Sequence, residues 1–408
     1  MSTKATTTTS TTTTRTENIL ATLLANQGLL FAKPSLVGRH TYLGRNILAP
    51  NSNILEHGDD RGYVPVEWWI GSLVSAGNPV LKPNEGIAQF HIHNESNPVL
   101  LTDIVAVAER QVMGNYLHQW PLIKVLDIGG SAVTPVSPEK GGSKHNDTST
   151  RPAEVPPIPA HVHNGYICNG CACGHGKLEA YFFPPLPTNT PAFEATTRLG
   201  VKPNTTKETL VRCMRCFGIN DTMYDQLNVF PVQPFSGWTI ECGVIHAPGP
   251  YPTFEVQLPQ DDGNLLAWQL GQGLPDAVGR QEELERSMLK SAANEAQLFD
   301  EVVNLSLTSD PDFMEQFYHP SLLLDSGGWG RRLQTFFNRF YGEAIEIKAG
   351  QRYVRKMDAS RVQVLDTVAC GTDLLCCFSL SLAVGSLSRP WTPTTNLARW
   401  WCGPATAP

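Results

Sequence analysis

Apolar and polar positions along this chain fall mostly into short alternating runs. Between Tyr42 and Pro135 the runs VPVEWWIGSLV, GIAQFHIHN, LLTDIVAVA and PLIKVLDIGG are separated by Gly, Pro and Asn. That pattern predicts strands joined by turns. Sheet pattern is expected again from Ile158, from Asn228 to Leu270, and from Ala344 to Asp366. Three stretches carry helical spacing instead. Helical character at Glu17 to Leu30 marks the expected start of folded sequence. Asn204 to Phe217 places Leu210, Met214 and Phe217 on one face, with Thr205 as cap and Glu208 three residues later. Residues 280 to 305 set Leu284, Met288, Leu289 and Ala292 at helical intervals among charges.

A mainly β protein with this organisation divides as follows. Residues 1–16 are a Thr-rich tail expected to be disordered. Residues 17–270 form an N-terminal domain, carrying a low-complexity insertion at 136–157 expected to be a mobile loop. Residues 271–335 are a helical connector, and 336–408 form a partial second domain. From about Thr367 the sequence shows neither strand alternation nor helical periodicity, and a barrel is not expected to close with it.

Composition narrows the class. A chain of 408 residues with 41% apolar content can bury substantial cores. A net charge of -7 argues against nucleic acid as a partner. Leu374 to Ser388 is the longest uncharged stretch, too short and too rich in Ser and Cys to span a membrane. The first fifteen residues lack the apolar core of a secretory signal, so the ten Cys are expected to be reduced thiols. A cytoplasmic location is the expectation, with a mitochondrial transit segment as the alternative.

The candidate chemistry lies in three short motifs. In IPAHVHNG, His161 and His163 are two apart, so on a strand both side chains leave the same face. GKLEAYFF places Glu179 on the following strand, and SGWTIECGVIHAPGP delivers His246 on another. Three imidazoles and one carboxylate suit a single divalent ion, zinc first, with Mn, Fe or Ni as alternatives. Lys124 sits inside an apolar run, where an ammonium is costly unless it meets a pocket or a partner. Lys177 stands beside Glu179, either in a pocket or as a solvated turn residue. Glu255 alternates with Thr253 and Gln257 on one polar face.

Other signals are weaker. CNGCACGH, with Cys168, Cys171, Cys173 and His175, has zinc-like spacing, as do Cys213 and Cys216 beyond it, but it falls in a variable loop. His91 and His93 repeat the two-apart pattern without a later Glu and His to complete a set. Trp68 and Trp69 are expected to pack in the core and lid.

At PLIKVLDIGG, HVHNG, GKLEAYF and GVIHAPGP, in that order, the sequence resembles the cupin superfamily, and within it the type I phosphomannose isomerases. The resemblance runs from about Pro121 to Gln257, interrupted at 136–157. It implies a bicupin, two jelly-roll barrels with a helical connector, holding metal in the first barrel on His161, His163, Glu179 and His246. It also implies that Lys124 and Lys177 line a sugar-phosphate pocket, with Lys177 and Glu255 serving catalysis and Glu255 moving the proton. Three positions depart from the family pattern. His161 replaces a Gln ligand, Pro159 replaces a Ser, and Leu265 stands where the family carries an Arg near the reacting sugar. Losing that charge makes phosphomannose itself a doubtful substrate. The expected function is a metal-dependent sugar or sugar-phosphate isomerase. A dioxygenase or oxidase and a non-catalytic carbohydrate-binding cupin remain open beside it.

Overall fold

The computed structural model describes residues 7–25, 32–33, 35–39, 59–61, 63–91, 97–113, 120–127, 158–163, 176–186, 195–217, 219–220, 222–261, 263–267, 282, 284–286, 292–337, 340–356, 363–369, 374–382 and 397–401. The insertion at 136–157, the cysteine-rich motif at 168–175 and His93 lie outside them. Among the described residues the protein is mainly β, and all its strand pairs are antiparallel.

In chain order, β1 (Ala32–Lys33), β2 (Ser35–Arg39), β3 (Val64–Gly71), β4 (Gln89–Phe90) and β5 (Val99–Leu100) come first. The helix Leu101–Met113 leads to β6 (Leu122–Leu126), β7 (His161–Val162), β8 (Glu179–Phe182) and β9 (Thr196–Val201). After the helix Lys207–Met214 come β10 (Leu227–Pro231), β11 (Gly237–Ile240), β12 (His246–Ala247), β13 (Thr253–Gln257) and β14 (Asn264–Leu265). Three short helices, Glu295–Val302, Leu305–Thr308 and Phe313–Phe317, precede β15 (Tyr318–His319), β16 (Leu322–Gly327), β17 (Gly330–Phe337) and β18 (Phe340–Lys348). The last strands are β19 (Arg352–Lys356), β20 (Gln363–Ala369), β21 (Leu374–Leu382) and β22 (Leu397–Trp401).

Two sheets build the N-terminal part. One has seven strands in the order β15-β11-β8-β13-β6-β3-β2, the other five in the order β10-β9-β12-β7-β14. Because successive side chains leave opposite faces of a strand, each run divides its residues between two environments. In the seven-stranded sheet Lys124, Glu179, Tyr181, Glu255 and Gln257 share one face through the pairs Glu255↔Lys124, Glu255↔Tyr181 and Gln257↔Glu179. The other face carries Ile123, Val125, Ala180, Phe182, Phe254 and Val256, and packs on Leu333, Phe340 and Ala344 of β17 and β18. The five-stranded sheet turns Val162 and Ala247 outward, against Leu210, Met214, Leu298, Phe299 and Val302 of two helices. The polar faces of the two sheets therefore meet inside a layered stack whose outer faces are sealed by apolar packing.

A third small sheet runs β1-β4-β5. The C-terminal part consists of a five-stranded sheet, β16-β17-β18-β21-β20, and the pair β19-β22.

Several expectations are corrected. Helix Thr7–Ala25 covers most of the stretch read as a disordered tail. LLTDIVAVA was expected as a strand and is helical from Leu101, kinked at Ala108, with Leu101, Ile104 and Ala108 buried. Its β-branched residues suggested a strand, but the three-residue spacing of the buried Leu101 and Ile104 prevails up to the kink. The helix expected at Asn204 is capped by Thr206 rather than Thr205, because the Thr205 amide closes a turn onto the Lys202 carbonyl. The single helix expected over 280–305 is interrupted at Asn294, whose extended backbone and side-chain bond to the Gln297 amide start a new helix. The connector gives way to strand at Tyr318, so the C-terminal sheet begins before residue 336. β21 lies in the sequence expected to lack strand pattern and pairs with β18 from Phe340↔Leu382 to Lys348↔Leu374. No helix among the described residues is long and apolar enough to cross a membrane.

Candidate metal centre

Two sheets contribute to the candidate site. β7, β12 and β14 are neighbours in the five-stranded sheet, and the register sets His246 and Leu265 on either side of His161. His163, two residues beyond His161, leaves the same face. The ring nitrogens of His161, His163 and His246 converge so that one from each lies within 4.8 Å of the others. Ring centroids are 5.0 Å apart for His161 and His163, 4.1 Å for His161 and His246, and 5.1 Å for His163 and His246. Glu179 reaches in from the opposite sheet. Its Oε1 lies 3.0 Å from His163 Nε2 and its Oε2 lies 3.4 Å from His246 Nε2. The four residues expected to act together are thus brought together, with the carboxylate touching two of the three imidazoles.

Local backbone bonds set the histidine tautomers. Nδ1 of His161 donates to the Pro159 carbonyl and Nδ1 of His246 donates to the Val244 carbonyl, each at 2.8 Å. A ring that gives its proton from Nδ1 keeps a lone pair on Nε2. Nε2 of His246 and both ring nitrogens of His163 are buried without a hydrogen-bond partner, despite the short contacts to Glu179. Orphaned buried ring nitrogens are costly unless something occupies the space between them. Burial, then the neighbouring His246 and His163, hold His161 well below its ordinary pKa. Burial and the Lys177 ammonium lower His163 to about 3, against the pull of Glu179. Burial would raise Glu179, but its contacts with His163 and the Lys177 ammonium outweigh it and keep the carboxyl well below the usual range. Neutral imidazoles beside an ionised carboxylate are the donor states a divalent cation requires, so these residues fit such an ion.

Tyr181, two residues beyond Glu179, donates its hydroxyl to Glu179 Oε2 at 2.8 Å and holds the carboxylate. The backbone of Gly263 lies close behind His163: a β-carbon there would stand 3.0 Å from its Cε1 and 3.1 Å from its Nδ1.

Both candidate lysines are buried. Lys177 Nζ is 3.1 Å from Glu179 Oε1, which rules out the solvated-turn reading. Lys124 Nζ lies 3.4 Å from Glu255 Oε1 and 3.5 Å from Glu67 Oε2. Glu255 is buried and its Oε1 makes no hydrogen bond. Burial first, then the negative Glu179, raise its pKa to about 8 in spite of Lys124 and Lys177.

An ionic network adjoins these residues. Glu67 is fully buried and receives Arg39 Nε at 2.8 Å and Trp69 Nε1 at 2.8 Å. Arg39 also reaches Asp261 at 2.9 Å. Burial raises Glu67 while Arg39 and Lys124 lower it, and the lowering prevails. Asp261 is likewise held ionised by Arg39. Sequence reasoning passed over Glu67, although a lone carboxylate in VPVEWWIG carries the same signal that singled out Lys124 in PLIKVL. Tyr181, Arg39 and Asp261 had no comparable signal.

The remaining candidates lie apart. His91 is exposed, and Cys213 and Cys216 belong to the helix Lys207–Met214 and the turn after it. Trp69 is buried, and Trp68 packs on the opposite, apolar face.

No family model matches the chain, and no curated protein matches it. Among solved structures the chain is similar to phosphomannose isomerases. Mannose 6-phosphate isomerase from Bacillus subtilis matches with 13% identity and a TM-score of 0.49, over 87% of this chain and 99% of that one. A protein from Archaeoglobus fulgidus, provisionally described as a mannosephosphate isomerase, matches with 12% identity and a TM-score of 0.49, over 87% and 95%. A variant of phosphomannose isomerase from Salmonella typhimurium matches with 10% identity and a TM-score of 0.47, over 87% and 99%.

Proposed function

We propose that the chain is a metal-dependent sugar isomerase that moves a proton between adjacent carbons of an aldose or ketose. The observation that carries this reading is the setting of Glu255. Its carboxyl group is buried, has one oxygen without a hydrogen bond, and shares a sheet face with Glu179 of the histidine cluster. A pKa of about 8 lets such a group give and take a proton near neutral pH. The motif resemblance around the same residues supplies the reaction class.

In this reading His161, His163, His246 and Glu179 hold one divalent ion, zinc by preference of the donor set. Bound there, the ion would polarise the carbonyl and hydroxyl oxygens of the sugar. Tyr181 keeps Glu179 in place. Lys177 and Lys124 hold sugar oxygens on either side, with Lys177 close enough to the cluster to stabilise developing negative charge. Glu255 removes the proton from one carbon and returns it to the next. The fold that goes with this reading is a bicupin, with the first barrel around the histidines and the second built from β16 to β22. Its partner is a small-molecule sugar and its setting the cytoplasm.

The test is incubation of zinc-loaded protein in deuterated water with free and phosphorylated aldoses and ketoses. Deuterium should appear beside the carbonyl of at least one sugar, and Glu255→Gln should abolish it with metal content unchanged. Oxygen uptake with sugar by the iron- or manganese-loaded protein, with no exchange in either metal form, would support the oxidative alternative and overturn this reading.

A further inference from the structure

The site contains a buried polar side chain that the proton transfer leaves unused. Gln257 is fully buried and stands directly across from Glu179, two residues along from Glu255. Cross-strand partners and alternate residues leave a sheet on the same side, so Gln257 belongs to the face that carries the candidate carboxylates. Its Nε2 donates to the Gln260 carbonyl, which decides the orientation of the amide. Oε1 is thereby left buried with no partner. A native structure keeps such an acceptor where a ligand or water supplies the missing donor.

The charges nearby are arranged differently. Lys177 is paired with Glu179, Lys124 lies between Glu67 and Glu255, and Arg39 is shared by Glu67 and Asp261. Each of these cations already faces a carboxylate. Leu265, across from His161 and on its face, adds an apolar group. A phosphate dianion has only acceptor oxygens and needs cations whose charge is not already answered. A sugar hydroxyl can donate, and an orphaned buried acceptor discriminates strongly in favour of a ligand that does.

We infer that the site takes an unphosphorylated sugar, one hydroxyl of which donates to Gln257 Oε1. The inference rests on the isomerase reading for the ligand being a sugar, and goes beyond it in naming the class and the recognising residue.

Calorimetric titration of the full-length, zinc-loaded protein with D-mannose, D-fructose and their 6-phosphates tests it by binding rather than turnover. At least one free sugar should bind ten-fold or more tightly than its 6-phosphate. Gln257→Met should weaken that binding about ten-fold, with zinc stoichiometry and circular dichroism unchanged. Tighter binding of the 6-phosphates, no binding of any sugar, or unchanged affinity in Gln257→Met would each overturn the proposal. The comparison of free and phosphorylated sugars needs no variant, so it decides even if Gln257→Met does not fold. Free sugars that bind as expected without solvent exchange would retire the isomerase and leave this inference standing.

Discussion

His246 stands directly across from His161 on neighbouring antiparallel strands, and each ring ties its Nδ1 to the carbonyl two residues before it in its own chain. The same local device is used twice, so both Nε2 atoms are delivered in the state that binds a cation. His163, just past the end of the strand that carries His161, and Glu179 of the opposite sheet complete the cluster. Replacing His246 or His163 by Ala should lower zinc affinity by about a hundred-fold or more. Zinc content after dialysis checks this, and a variant that keeps one zinc per chain would refute the assignment.

Gly263 offers a gentler probe. A β-carbon at this position would press on the His163 ring at 3.0 and 3.1 Å. Gly263→Ala should displace that ring and weaken zinc binding about ten-fold while the fold is retained. Competition with a chromophoric chelator measures the change.

Stability of the metal-free protein should depend on pH with opposite limbs. Burial, aided by Glu179, raises Glu255 from an ordinary 4.5 to about 8. Above pH 4.5 the unfolded chain releases a proton that the folded one keeps, so this group costs stability as pH rises toward 8. His163 acts the other way. Its pKa is lowered from 6.5 to about 3 by burial and Lys177, so the unfolded chain binds a proton that the folded one refuses. Stability then rises with pH up to about 6.5, reinforced by the lowered His161. Urea unfolding should show a maximum near pH 6.5, and Glu255→Gln should flatten the fall between there and pH 8. An unaltered alkaline limb in that variant would show that another group causes it.

Arg39 should matter to folding more than a surface arginine. It neutralises Glu67, which is fully buried, and Asp261, whose side chain is 10% exposed. Arg39→Met leaves both carboxylates without it, and breaking a buried pair from one side costs about 3–5 kcal/mol. Equilibrium urea unfolding checks the size. A loss below 1 kcal/mol would mean that water already reaches the network.

That the histidines and Glu179 come together was legible because a candidate metal site draws on particular residue types, and strand parity tells which of them share a face. Lys124 was legible because an ammonium between Ile123 and Val125 has to be answered by something. What answers it was not, since Glu67 and Glu255 arrive through pairings of β6 with β3 and β13 that no local pattern contains. The same limit hid the origin of Glu179 in the opposing sheet. In Leu101–Met113 the apolar residues satisfied a strand reading locally, and only burial against Ile19 and Trp120 identifies the face that decides it. The capping position was missed by one residue because a preceding turn, closed from Thr205 to Lys202, delays the helix.

The alternation in β6 and β13 has a consequence for how this protein can vary. Lys124, Glu255 and Gln257 point into the site, while Ile123, Val125, Phe254 and Val256 lock onto the C-terminal sheet. Inserting or deleting a single residue in either strand would exchange the two sets, turning charge into the apolar seam and bulk into the site. Point substitutions can tune either surface alone, but length changes cannot. Inherited insertions should therefore accumulate outside these strands, and the parity of β6 and β13 should outlast changes in what the site binds.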